Sequence, residues 1–138
     1  MPFGEQAEGF RQTRAARRSE TAEDYVELIA ELISTRGEAR AVDIAARLGV
    51  AQATVANTVA RLQREGFVVH RPYRAIFLTE TGRRLADAVR QRHRMVVTFL
   101  LALGVSERTA AQDAEGIEHH VSEETLQALV RFVEAKGG

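Results

Sequence analysis

The chain has 138 residues, 45% of them hydrophobic and 28% charged, with two Pro, no Cys and no Trp. That size and composition suit one globular domain, or two small lobes sharing a core. They exclude a disordered chain, a disulfide scaffold, a Cys-ligated zinc finger and thiol catalysis. The formal net charge is zero, but residues 1–94 carry 16 basic and 12 acidic side chains whereas 95–138 carry 3 and 7. A basic front and an acidic back suit an anionic partner at one end and cations at the other. Arg94 and Thr98 interrupt the apolar stretch that ends near Leu103, so no run is long enough to span a membrane. The N-terminus is charged where a signal peptide would be apolar. A cytoplasmic protein is the expectation.

Residues 1–19 are polar, Arg-rich and weakly patterned, and are read as a frayed or partly helical arm, with a DNA-contacting arm as the alternative. From Ser19 the pattern tightens. Tyr25, Leu28, Ile29, Leu32 and Ile33 recur at helical spacing, and Gly37 is the stop. Val42, Ile44, Ala45 and Leu48 make a short amphipathic helix ended by Gly49. A second runs from about Gln52 to Glu65 with Val55, Val59 and Leu62 inward, and Gly66 ends it. Neither helix can bury its apolar face alone, and the pair reads as a helix-turn-helix. Phe67–Val69 and Ile76–Leu78 then flank the polar segment HRPYRA as a hairpin. Helix-turn-helix followed by hairpin is a winged helix, expected over residues 20–79.

Residues 80–138 read as an all-helical domain. One long helix runs from Thr79 to Leu103 and is closed by Gly104. Another covers Ser106 to His120, with Gly116 a weak point, and a last one spans Ser122 to Ala135 behind a Ser-x-x-Thr start in the capping pattern SEET. The fold class is therefore mainly α, an N-terminal winged helix-turn-helix followed by an all-helical domain. Three helices hold more Leu, Val and Phe than a small winged helix can cover, which points to a homodimer interface.

The outward face of the second helix of the motif carries Gln52, Thr54, Asn57, Thr58 and Arg61. These side chains donate to base edges or phosphates, and few acids interrupt them. The hairpin tip adds Arg71, Tyr73 and Arg74, suited to phosphate or minor-groove contact. The expected partner is double-stranded DNA.

The string DAEGIEHHVSEE is the most unusual in the chain. On a helix Glu115, Glu118 and His119 stand at i, i+3 and i+4 and project from one face. Asp24 and Glu27 are again i and i+3 on the first long helix, and His93 lies in the middle of the helix after the wing. Brought together they make four carboxylates and two imidazoles with no sulfur, a set for Mn²⁺ or Fe²⁺, as one ion or two. His120 points about 100° away from His119 and is expected to pack rather than ligate. Glu123 and Glu124 are first-turn acids that complement a helix dipole.

EDYVELI, ARLGV, the helix-turn-helix, the hairpin, QRH and DAEGIEHHVSEETL together resemble the manganese-responsive branch of the diphtheria-toxin-repressor family. The resemblance covers roughly residues 20–135. It implies a winged helix followed by a metal-binding and dimerisation domain, and a homodimer that binds a palindromic operator when loaded with metal. Position by position it implies Asp24, Glu27, His93, Glu115, Glu118 and His119 as ligands. The iron-sensing branch uses Met and Cys where this chain has Asp24 and Glu115, so the resemblance favours manganese. It does not extend to the Arg-rich start, and an SH3-like third domain is not expected. Two other readings stand beside the regulator. One is a carboxylate-bridged dimetal enzyme with a winged-helix appendage, although no nucleophile or base stands outside the ligand set. The other is a metal-independent winged-helix dimer.

Overall fold

The structure is a computed structural model and describes residues 3–136. In chain order its elements are α1 (Phe3–Arg36), α2 (Ala41–Leu48), α3 (Gln52–Arg64), β1 (Val68–Val69), β2 (Phe77–Leu78), α4 (Glu80–Ala102), α5 (Glu107–Ile117) and α6 (Glu123–Ala135). They divide into two compact units, one of residues 17–87, the other of the described residues up to 16 and from 88 on. Among the described residues no helix is long and apolar enough to cross a membrane.

In the 17–87 unit the periodic apolar residues become the core. Tyr25, Leu28, Ile29 and Leu32 of α1 meet Ile44 of α2 and Val55, Val59 and Leu62 of α3, with Val68 and Ile76 of the hairpin closing the cluster. Ile29, Leu32, Ile44, Val55, Leu62 and Ile76 are fully buried. Each such side chain contributes roughly 1.5–3 kcal/mol by leaving water.

The turn between α2 and α3 needs a left-handed residue. Gly49 supplies it at φ 69° and ψ 37°, and its N–H reaches the carbonyl of Ala45. After α3 the chain turns at Gly66 (φ 88°), and the N–H of Phe67 returns to the carbonyl of Leu62 at 2.9 Å. β1 and β2 then pair antiparallel, Val68 opposite Leu78 and Val69 opposite Phe77. Ala39, between α1 and α2, adds a one-residue bridge to Ile76, whose N–H donates to the Ala39 carbonyl at 2.8 Å. That third piece of sheet was not expected. A single pairing residue has no period-2 pattern to read.

The wing is fastened to the start of α4 by one side chain. The Thr79 hydroxyl lies 2.6 Å from the Gly66 carbonyl and 3.1 Å from that of Phe67, and its oxygen accepts the Gly82 N–H at 3.0 Å. Gly82 is buried so closely over the Phe67 carbonyl that a Cβ there would collide with backbone.

Two helix boundaries differ from the sequence reading. α1 does not begin near Ser19 but at Phe3. No proline interrupts the segment, Glu5 stands in the first turn, and Glu8 pairs with Arg11 at 2.7 Å, so the partial cap at Ser19 is overridden by continuous helix. α5 ends at Ile117, not His120. Beyond it the bonds tighten, His119 N–H to Gly116 and His120 N–H to Ile117, as in a fraying last turn. The starts of α5 and α6 follow expectation, with Ser106 Oγ accepting from Thr109 N–H and Ser122 Oγ from Thr125 N–H.

In the other unit Val89 and Val96 of α4 and Ala110 and Ala114 of α5 are buried, and Phe99 of α4 meets Phe132 of α6 edge to face at 5.5 Å. No residue of α6 is fully buried, although Leu126, Leu129, Val130 and Val133 form a half-buried stripe at helical spacing.

Two substitutions test this description. Gly82→Ala should lower stability by about 1–3 kcal/mol, read by urea denaturation, because the added methyl meets a carbonyl that the hairpin holds in place. Tyr73 sits at φ 61° with its side chain fully exposed, strained for a bulky residue and offset by no packing. Tyr73→Gly should therefore leave stability unchanged or raise it by up to about 1 kcal/mol; a clear loss would mean that the ring is packed.

Candidate metal centre and nucleic-acid face

The residues singled out for metal fall on three helices. His93 lies on α4 in its second half, where the helix turns a half-buried strip with Arg92 toward α5. Glu115 lies on the last turn of α5, and Glu118 is its C-cap residue, still at φ −58° and ψ −28°. That near-helical conformation keeps Glu118 one turn beyond Glu115 on the same side. The buried Ala110 and Ala114 let α5 pack closely, which brings both acids to His93.

The resulting geometry is tight. His93 Nδ1 lies 2.6 Å from Glu118 Oε2 and 3.6 Å from Glu115 Oε1. One nitrogen of His93 and one oxygen from each acid all lie within 4.8 Å of one another. Donors held by a divalent ion at about 2.1–2.4 Å lie about 3–4.8 Å apart, so the spacing fits a shared cation. The donor chemistry fits too. One imidazole and two carboxylates without sulfur suit a borderline-to-hard divalent ion.

Burial separates the two acids. The Glu118 side chain is 0% exposed and that of Glu115 is 58% exposed. An ionised carboxylate removed from water needs a compensating charge close by. Arg92 contributes nearby, its Nη1 donating to the Glu118 carbonyl at 3.3 Å. His119 lies just beyond the end of α5. It is buried beside Glu118, with Nε2 3.5 Å from Glu118 Oε1 and its side chain 1% exposed. His120 is exposed, as expected for a residue outside the set.

Asp24 and Glu27 belong to the 17–87 unit. Both are half-buried on successive turns of α1, on the side away from its apolar core residues. Glu20, one turn before Asp24 on the same face, was not singled out, although its i, i+4 spacing to Asp24 was legible. Arg92 was also missed, and nothing in its spacing distinguishes it from the neighbouring arginines.

On α3, Gln52, Thr54 and Asn57 are exposed and Thr58 is half-buried. No acid occurs in the thirteen residues of this helix. Arg61 departs from the outward display expected of it. Its side chain is 25% exposed, Nη2 donates to the Arg18 carbonyl of α1 at 3.4 Å, and Nε lies 3.6 Å from the Glu65 carboxylate. The position borders the buried Leu62, so the long side chain folds back along α1. At the wing tip Arg71, Tyr73 and Arg74 are all exposed.

Known proteins agree with this architecture. Residues 18–76 match the family described as iron dependent repressor, N-terminal DNA binding domain, and residues 79–135 match iron dependent repressor, metal binding and dimerisation domain. The transcriptional regulator MntR of Salmonella typhimurium is 55% identical over 133 residues, covering 96% of this chain and 85% of that protein. The HTH-type transcriptional regulator MntR of Lysinibacillus sphaericus is 38% identical over 112 residues, 81% of each chain. Among solved structures, a manganese-dependent transcriptional repressor in complex with manganese superposes with a TM-score of 0.74 at 30% identity over 82% of this chain. This chain spans about half of that one, at 52%. The chain thus belongs to the iron-dependent repressor, or diphtheria-toxin-repressor, family of transcriptional regulators, among its MntR-type members.

Proposed function

We propose that the chain is a manganese-responsive transcriptional repressor of the cytoplasm that binds a palindromic operator as a metal-loaded homodimer and controls metal-transport genes. The observation that carries the reading is the nitrogen–oxygen cluster of His93, Glu115 and the buried Glu118 in a chain of this family. Those three would hold the ion together with Asp24, Glu27 and His119, and Fe²⁺ is the competing occupant. The bound cation supplies the positive charge that the gathered carboxylates need, as one ion or two. Zn²⁺ stands above Mn²⁺ in intrinsic affinity, so selectivity comes from geometry and availability.

The link to DNA runs through α1. Its apolar side, Tyr25, Leu28, Ile29 and Leu32, is part of the core on which α2 and α3 rest, and its acidic side carries Asp24 and Glu27. Holding those two acids fixes the helix against which the recognition helix α3 is packed. The half-buried stripe Leu126, Leu129, Val130 and Val133 of α6 supplies apolar surface for a second copy, in a region matched to a dimerisation domain. A dimer reading two half-sites about 34 Å apart needs the spacing of its two α3 helices held. Metal therefore acts by restricting that spacing, a coupling of about 1–3 kcal/mol or roughly 5–150-fold in affinity. Gln52, Thr54, Asn57 and Thr58 would read bases, with Arg71, Tyr73 and Arg74 on the backbone or minor groove and Arg61 contributing from the edge of α3.

The test is a fluorescence anisotropy titration with palindromic duplexes selected from a randomised pool, first in EDTA and then in Mn²⁺. Binding should strengthen roughly 5–150-fold with Mn²⁺. His93→Ala and Glu118→Gln should remove that gain while far-UV circular dichroism stays native. Equal binding by the unsubstituted protein in EDTA and Mn²⁺ would contradict the reading and leave a metal-independent DNA-binding protein.

A further inference from the structure

The N-terminal half of α1 packs against little of the chain. Residues 3–19 are exposed without exception. A helix of that length gains little from its own hydrogen bonds in water, so its surface is informative about what it meets outside the protein. Its charge is sorted. Glu5 and Glu8 come first, then Arg11, Arg14, Arg17 and Arg18. Glu8 engages Arg11 at 2.7 Å. Among the described residues Arg14, Arg17 and Arg18 enter no ion pair. At about 100° per residue these three fall within an arc of about 100° on one side of the helix.

That turn is placed next to the recognition helix. The Arg18 carbonyl accepts from Arg61 Nη2 at 3.4 Å, so the Arg17–Arg18 turn of α1 abuts the last turn of α3 within the 17–87 unit. The exposed side of α3 brings no acid to offset these charges. After Glu8 the next carboxylates of α1 are Glu20, Asp24, Glu27 and Glu31, on an arc that adjoins Arg17 and lies away from Arg14 and Arg18. A basic turn is thus set beside the helix that enters the groove.

We infer that Arg14, Arg17 and Arg18 form a sequence-independent phosphate-binding turn that grips the backbone of double-stranded DNA beside each half-site. The inference rests on the DNA-binding reading above and adds a contact outside the helix-turn-helix and wing. Charge complementarity selects the occupant, since three guanidiniums without an ion-pair partner match a row of phosphates.

The experiment measures the salt dependence of binding to a fluorescein-labelled duplex of about 30 bp, recovered by selection with the unsubstituted protein, in saturating Mn²⁺ and about 50–300 mM KCl. The R14Q/R17Q/R18Q variant should lower the slope of log K against log salt by about 0.9 per lost phosphate contact, or about 2–3 per protomer. Affinity should fall by a similar factor on the selected and on a mixed-sequence duplex, because phosphates carry no sequence information. The R14K/R17K/R18K variant should restore the slope. An unchanged slope in the Gln variant overturns the inference, as does a Lys variant that behaves like the Gln variant. A Gln variant that falls from dimer to monomer by light scattering, with its slope intact, overturns it in favour of a contact between copies. If the unsubstituted protein binds no duplex in Mn²⁺, the regulator reading fails and takes this inference with it. Binding by that protein with an unaltered slope in the Gln variant removes this inference alone.

Discussion

A carboxylate out of reach of water, 2.6 Å from an imidazole nitrogen, is the constraint around which the metal-binding half of this fold is arranged. Glu118 could have been exposed like Glu115 at no structural disadvantage to α5, whose interior is made by Ala110 and Ala114. Instead it occupies the C-cap position, buried, with His93 on one oxygen and His119 near the other. A charge so placed is strongly unfavourable without positive partners, and such sites recur where a protein binds a cation rather than where it seeks stability. Glu115, by contrast, stands largely in solvent.

The DNA-binding half is built on the opposite principle. Its core is apolar throughout, from Ile29 and Leu32 to Val55, Leu62 and Ile76, and its polar work is confined to edges. Thr79 ties the wing to α4, Gly82 lets the Phe67 carbonyl approach, and Gly49 and Gly66 turn the chain where L-residues would be strained. α1 combines both principles on one helix. Its apolar arc belongs to the core, its acidic arc carries Asp24 and Glu27, and its N-terminal half carries Arg11, Arg14, Arg17 and Arg18.

Much of this was legible in the residues. Apolar spacing located the faces of α1 to α3, glycines at 37, 49, 66 and 104 marked the stops, and Ser106 and Ser122 marked two helix starts. All four glycines take positive φ, and both serines accept the capping hydrogen bond. His93, Glu115 and Glu118 were collected from spacing and chemistry, and they do converge. What escaped depends on information that periodicity does not carry. The backward extension of α1 to Phe3 rests on propensity and local charge in a stretch with no apolar period. The Ala39–Ile76 bridge is a long-range backbone pairing of single residues. The last turn of α5 tightens at residues 118–120, and Arg61 folds back because α1 lies beside it, a tertiary fact. That Glu118 is buried and Glu115 is not could not be read from two acids three residues apart.

The central claim is that metal and DNA are bound by coupled parts of one chain, and linkage makes it testable from the metal side. Isothermal titration of Mn²⁺ into the protein, alone and then saturated with its selected operator duplex, is the most direct measurement. Reciprocity requires the operator to tighten Mn²⁺ binding by the factor by which Mn²⁺ tightens operator binding, about 5–150-fold. An Mn²⁺ affinity that is the same with and without the duplex would contradict the account.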